Sequence, residues 1–263
     1  MLCVFHTVGD FYSQTAGMAE AKKTKMKILI VHAFLYAFFM GAVFAFAPFW
    51  NALICWAIIS LSHFIIDKCR IVYEKKHEKK ELISFIVDQI LHVLIILGCF
   101  QLFMRGKTGI VHRTLYTLTG FRDVLVYISI LSIIIKPASI FVSKVFEYQA
   151  QKAEKNTNNK TEDTEPVVEK SGGGESKIVK TEEKKKGTSF LGAGTLIGVL
   201  ERIIIVILVL LNEPGAIGFV LTAKSIARVS QLKEDEFAEK YLIGTLISVV
   251  IALGTVLLIP KLI

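Results

Sequence analysis

The sequence has little that could build a cross-linked domain. Its four cysteines, Cys3, Cys55, Cys69 and Cys99, form no CxxC pair, and three lie in or beside apolar segments. That spacing excludes a disulfide framework and a zinc knuckle, and leaves small buried residues. Tryptophan is scarce, two residues against 18 phenylalanines, which fits helices facing lipid and each other better than the aromatic girdles of a β-barrel. No G-x-S-x-G elbow occurs, so a serine nucleophile of that type is excluded. The first residues lack a basic stretch, and positive charge follows the first apolar segment instead of preceding it. No cleavable signal peptide is therefore expected.

Apolar residues are abundant. They make up 53% of 263 residues, with a mean hydropathy of +0.55, too apolar for an ordinary soluble domain. Several runs reach the roughly 20 residues that span a bilayer. The fold class expected is all-α: a polytopic transmembrane helical bundle. A short semi-apolar helix over 2–18 precedes spans at about 28–47, 51–67, 82–104 and 122–145, the last broken near Lys136-Pro137. A basic hydrophilic loop over 68–80 separates the second and third spans. Residues 149–187 carry mixed charge and almost no apolar side chains, which marks a disordered linker. It divides an N-terminal lobe, 1–148, from a C-terminal lobe, 188–263. The second lobe has spans at about 189–212 and 238–259 around a shorter helix at 215–230.

The formal charge of +8 invites a nucleic-acid reading, but its distribution opposes one. The basic clusters, "KKTKMK" at 22–27 and "KCRIVYEKKHEKK" at 68–80, flank apolar runs and have no interleaved aromatic surface. They are topology signals. With 68–80 and the linker in the cytoplasm, 22–27 and 231–240 fall inside as well. Only the 105–122 loop, with Arg105, Lys107, Arg113 and Arg122, violates the rule. The partner expected is the lipid bilayer; the sequence names no protein partner.

In that orientation four segments present His or Asp at one depth, in the cytoplasmic half of the membrane. "HTVGD" carries His6 and Asp10, "SHFIID" His63 and Asp67, and "DQILH" Asp88 and His92, each pair four residues apart and so on one helix face. His32 lies about one turn inside the first span. An unpaired mid-span aspartate costs about 2.5–3.5 kcal/mol. Three of them approach about 10 kcal/mol, comparable to a whole domain's stability. A shared polar cluster removes that cost. His nitrogens with carboxylate oxygens suit a divalent metal ion: zinc, iron or manganese. Seven candidates exceed one tetrahedral site, so either some orient the ligating histidines or two metals bind. The alternative is a His–Asp hydrogen-bond network that only fixes helix packing. His77 and His112 fall in loops and are expected at the surface.

The C-terminal lobe carries "VLERIII", with Glu201 and Arg202 inside an apolar run. The turn at 212–215 returns the chain antiparallel. Glu201, about 12 residues before it, and Lys224, about 10 after it, then fall at similar height. A structural Glu201–Lys224 ion pair is expected, with Arg202 available to neighbours of Glu201 or to lipid phosphate. The glycines of "LGAGTLIG" permit close helix approach.

"HTVGDFYSQTAGMAEAKK", "VHAFLYAF", "SHFIIDKCR" and "FIVDQILHV" resemble, in order, the N-terminal motifs of the bacterial membrane family catalogued as domain of unknown function 3307. "LERIIIVILVLLNEPGAIGFVLTAKSIARV" and "EKYLIGTLISVVIALGTVLL" are similar to its C-terminal segment. The HxxxD segment resembles, more weakly, membrane-bound metal-dependent hydrolases. That second resemblance implies a metal-activated water and points to His6, Asp10, His32, His63, Asp67, Asp88 and His92. The first resemblance brings no activity with it and the second names no substrate; the leading expectation is a multi-pass protein of the bacterial inner membrane with an intramembrane metal site, hydrolase-like on a membrane-embedded or lipid-linked substrate. Two other classes stay open: a transporter using the cluster to relay protons or bind a cation, and a non-catalytic membrane assembly protein.

Overall fold

A computed structural model of the chain describes residues 1–45, 47–77, 80–104, 118, 120–162 and 193–262. Every regular element among them is helical. Five helical stretches are long and apolar enough to cross a membrane: Met26–Ala45, Phe49–Lys76, Glu81–Met104, Phe121–Lys152 and Phe237–Lys261. The protein is a multi-pass helical membrane protein.

The N-terminal segment is not one helix. Helix α1 (Leu2–Thr7) passes into a π-helical turn, Val8–Tyr12. The chain then breaks, and α2 (Ala16–Ala21) starts afresh from Thr15, whose side chain accepts the Met18 N–H at 3.2 Å. Gly9 lies in the π turn. A Cβ there would stand 3.1 Å from Tyr36 Cδ2, so the missing side chain lets this turn close onto the next helix.

Helix α3 (Met26–Met40) buries Leu29, His32, Tyr36 and Met40, while Phe34 and Phe38 point outward. The four-residue period places the polar face inside and the phenylalanines where lipid lies. A 3₁₀ turn, Gly41–Ala45, and Pro48 end the span before α4 (Phe49–Lys76). Asn51 Nδ2 and Trp56 Nε1 donate to the Phe103 and Ala37 carbonyls, both at 2.8 Å, satisfying acceptors near helix ends.

α4 continues well past the apolar run. Residues 68–76, read as part of a hydrophilic loop, are helical, because Arg70 and Glu74 form an i,i+4 pair with Nε–Oε1 2.8 Å that carries the helix beyond its apolar stretch. α5 (Glu81–Cys99) ends in a π turn, Phe100–Met104. Helix α6 (Phe121–Glu162) runs uninterrupted through Pro137. It includes 149–162, the start of the stretch read as linker, where Ala, Gln, Lys and Glu are good helix formers. Residues 163–187 lie outside the described residues, as do Arg105, Lys107, His112 and Arg113.

α7 (Ala193–Leu210), α8 (Ala216–Ala227) and α9 (Asp235–Leu262) complete the chain. Asn212 takes φ 63° in the tight turn between α7 and α8, a conformation asparagine tolerates. Two apolar cores form. One gathers Tyr36, Met40, Cys55, Ile59, Ile96 and Cys99 from α3, α4 and α5. The other joins Val126, Ile130 and Ile134 of α6 to Ile205, Val206, Ile217, Ala252 and Val256. α6 therefore packs its apolar face with the C-terminal helices. Its polar contacts reach the other way: Tyr12 Oη donates to the Ser132 carbonyl at 3.0 Å, Lys136 Nζ to the Gln14 carbonyl at 2.9 Å, and Lys144 Nζ pairs with Glu81 at 3.1 Å.

Candidate metal centre

The buried stripe of α3 puts His32 against the facing stripes of α4, carrying His63 and Asp67, and of α5, carrying Asp88 and His92. The π turn supplies Asp10, and α1 supplies His6. All seven side chains are buried, His32 and His63 completely.

The contacts run between helices more than along them. His63 Nδ1 lies 2.7 Å from His92 Nε2, and His63 Nε2 lies 3.2 Å from His32 Nε2. His32 Nε2 is 3.4 Å from Asp10 Oδ1 and 3.5 Å from Asp67 Oδ2. Within the four-residue pairs the separations are longer: 3.9 Å for His63–Asp67 and 3.8 Å for His92–Asp88. His6 takes another partner, its Nδ1 3.0 Å from Tyr36 Oη, and its ring stacks on His92 at 5.3 Å.

Partners fix the tautomers of two rings. His92 Nδ1 lies 2.8 Å from the Asp88 carbonyl, an acceptor only, so this nitrogen carries the proton. In a neutral His92 ring Nε2 is then an acceptor, and His63 Nδ1 donates to it. A neutral His63 consequently presents the lone pair of Nε2 toward His32 and Asp10. One ring nitrogen held as donor while the other offers its lone pair is the arrangement of a ligating histidine.

Ligand atoms of Asp10, His32 and His63 all lie within 4.8 Å of one another. A tetrahedron with ligand bonds of 2.0–2.1 Å has edges of about 3.3 Å. The His32–His63 and His32–Asp10 separations match that edge. Three buried polar atoms nearby have no partner: His6 Nε2, His32 Nδ1 and Asp88 Oδ1. The donor set therefore fits a divalent ion.

Burial alone would push the Asp10 carboxyl up. The His32 hydrogen bond and the neighbouring positive charge outweigh it and hold Asp10 well below the usual carboxylate range. Burial moves His6 the other way, below its ordinary value, so its ring is neutral at neutral pH.

Charged neighbours that sequence reading assigned to topology also enter the cluster. Lys22 Nζ meets Asp67 Oδ2 at 2.8 Å. Arg70 Nη1 approaches Asp88 Oδ2 at 3.4 Å. Gln89 Nε2 donates to both Asp10 Oδ2 and Asp88 Oδ2 at 3.0 Å. Tyr36 stacks on His63 with centroids 3.7 Å apart. The signals existed: Tyr36 is four residues after His32, and Arg70 four before Glu74. His77 is exposed, as expected of a terminal position.

Residues 1–121 match the family model described as "Protein of unknown function (DUF3307)". The likeness covers all seven cluster residues and does not extend to the C-terminal segments that the sequence reading also compared with the family. No curated protein and no solved structure matches the chain.

In the C-terminal helices, Lys224 Nζ reaches Glu201 Oε2 at 2.7 Å. Arg202 does not join that pair. It donates to the Ile134 carbonyl at 2.7 Å, Ser139 Oγ at 2.6 Å and Ser248 Oγ at 3.4 Å.

Proposed function

We propose that the DUF3307 cluster is an intramembrane divalent-metal centre, with Asp10, His32 and His63 as ligands. The carrying observation is the approach of His63 Nε2 to His32 Nε2 at 3.2 Å beside Asp10. His92 would hold His63, and Gln89 would hold Asp10. Three protein ligands with a fourth position open is the pattern of a catalytic site, in which the ion lowers the pKa of bound water. Asp67, 3.9 Å from His63 Nε2, stands where it could accept a proton from such a water.

The reaction class we assign is hydrolysis of a membrane-embedded or lipid-linked substrate. An apolar groove of 540 Å³ between α4 and α5, walled by Ile65, Val87 and Leu91, reaches Arg70 and Asp88. A polar cavity of 290 Å³ touches Asp10, Asp67, Lys22 and Gln89 from the helix ends. The basic residues at that end support an orientation in which it faces the cytoplasm from a bacterial inner membrane. Elemental analysis of the detergent-purified chain tests the centre, and release of water-soluble product from lipid-linked substrates tests the reaction.

A second reading rests on the same rings. Without an ion, a His32 Nε2 proton can be donated to His63, closing a head-to-tail chain through His92 to the Asp88 carbonyl. That chain suits a proton relay in a coupled transporter. Proton uptake by vesicles holding metal-free protein would favour it.

A further inference from the structure

The C-terminal helices enclose a second cavity, 430 Å³, away from the His/Asp cluster. Its lining includes one carboxylate, Glu201, and four cations, Arg202, Lys224, Arg228 and Lys240. Glu201 is matched by Lys224 at 2.7 Å, which leaves the Arg202 and Arg228 guanidiniums as further positive charge on the lining. Arg202 is the notable member. It is 2% exposed, yet its hydrogen-bond partners among the described residues are one carbonyl and two serine hydroxyls, and no carboxylate lies within ion-pair distance of it there. Those bonds use three of its five N–H groups. A buried guanidinium with no directly bonded anion is costly, and its fork matches phosphate oxygens. Thr245 adds a hydroxyl at the rim of the ion pair, 2.9 Å from Lys224 Nζ.

The lining comes from the C-terminal half of α6, the N-terminal halves of α7 and α9, and the end of α8. These lie at the bundle end that also carries Lys144 and Glu81. Apolar Val142, Phe146 and Ile197 share the wall with the cations, an arrangement for an amphipathic molecule whose charged head meets Arg202.

We propose that this cavity binds the phosphate of an anionic phospholipid headgroup. Arg202 holds the phosphate from within, and Arg228 meets it from the rim.

The test uses full-length protein in nanodiscs and native mass spectrometry after exchange into detergent. Wild-type chain should retain phosphatidylglycerol at least about tenfold more than phosphatidylcholine, as expected for charge-assisted bonds. Arg228→Gln, at the rim, should remove that preference while the protein keeps its helical circular dichroism. Arg202→Lys keeps a charge but loses the fork, and should weaken retention as well. Equal retention of the two lipids by wild type overturns the proposal. So does an unchanged preference in the rim variant. Inorganic phosphate alone, titrated in a lipid-free thermal-shift arm, should give little stabilisation. If it gives all of it, the site takes free phosphate and the lipid assignment is overturned. No arm depends on metal at the His/Asp cluster.

Discussion

Lys22, in the basic stretch before α3, places its ammonium 2.8 Å from Asp67 Oδ2, and both side chains are nearly buried. Asp67 is also 3.5 Å from His32 Nε2. A residue that the sequence marked only as a topology signal thus neutralises a carboxylate at the proposed centre. Lys22→Ala should strand Asp67 and lower stability by about 3 kcal/mol, the usual cost of breaking a buried pair. Thermal unfolding in detergent checks this. Added zinc should raise the variant's melting temperature more than the wild type's, because Asp67 is then free to meet the ion. Equal shifts would separate Asp67 from the centre.

Gly9→Ala should destabilise the chain by about 1–3 kcal/mol through overpacking. The new methyl would meet Tyr36 Cδ2 at 3.1 Å and Phe39 Cβ at 3.4 Å. The π turn carrying Asp10 would have to retreat, so metal content should drop together with stability. Gly17→Ala, where nothing lies within 4 Å, is the control and should leave both unchanged.

Glu201 and Lys224 should couple. Each single alanine leaves one charge in a mostly buried position, while the double variant removes both. The double-mutant cycle should show an interaction of about 1–2 kcal/mol. Additive losses in chemical unfolding would show that the 2.7 Å contact is energetically silent.

Metal occupancy should fall as pH falls. Binding at Asp10, His32 and His63 requires two neutral imidazoles and a carboxylate, so protons compete with the ion. Asp10 is held below the usual carboxylate range, so its carboxylate is available to the ion at neutral pH. Equilibrium dialysis over a falling pH series should show affinity lost on acidification; affinity that never falls would exclude protonatable ligands.

The helical class and the inward polar stripe were legible because hydropathy and a four-residue period are local properties of the chain. His32, His63, Asp67, Asp88 and His92 could be placed at one depth from span boundaries alone. What local pattern could not supply was partnership. His6 turned to Tyr36, and His63 took His92 as its closest polar partner ahead of its own Asp67, because helix crossing angles decide contacts between faces. The basic stretches hid Lys22 and Arg70 in the same way: composition marked them as topology signals, and tertiary packing brought both onto carboxylates. The helix over 68–76 was obscured because its charged residues find partners on α5, which hydropathy does not see. In the C-terminal lobe, antiparallel return after a tight turn was enough to match Glu201 with Lys224. The route of Arg202 to Ser139 and Ser248 depends on two other helices.

Elemental analysis of purified chain, carried through His63→Ala, His92→Ala and His77→Ala, tests the metal centre most directly. The account predicts about one tightly held divalent ion per wild-type chain, loss of it in His63→Ala, a marked reduction in His92→Ala because the ligating ring is no longer held, and no change in exposed His77→Ala. Wild-type protein without metal after expression in zinc-, iron- and manganese-supplemented media, or a His63→Ala variant that keeps its full complement, would contradict it.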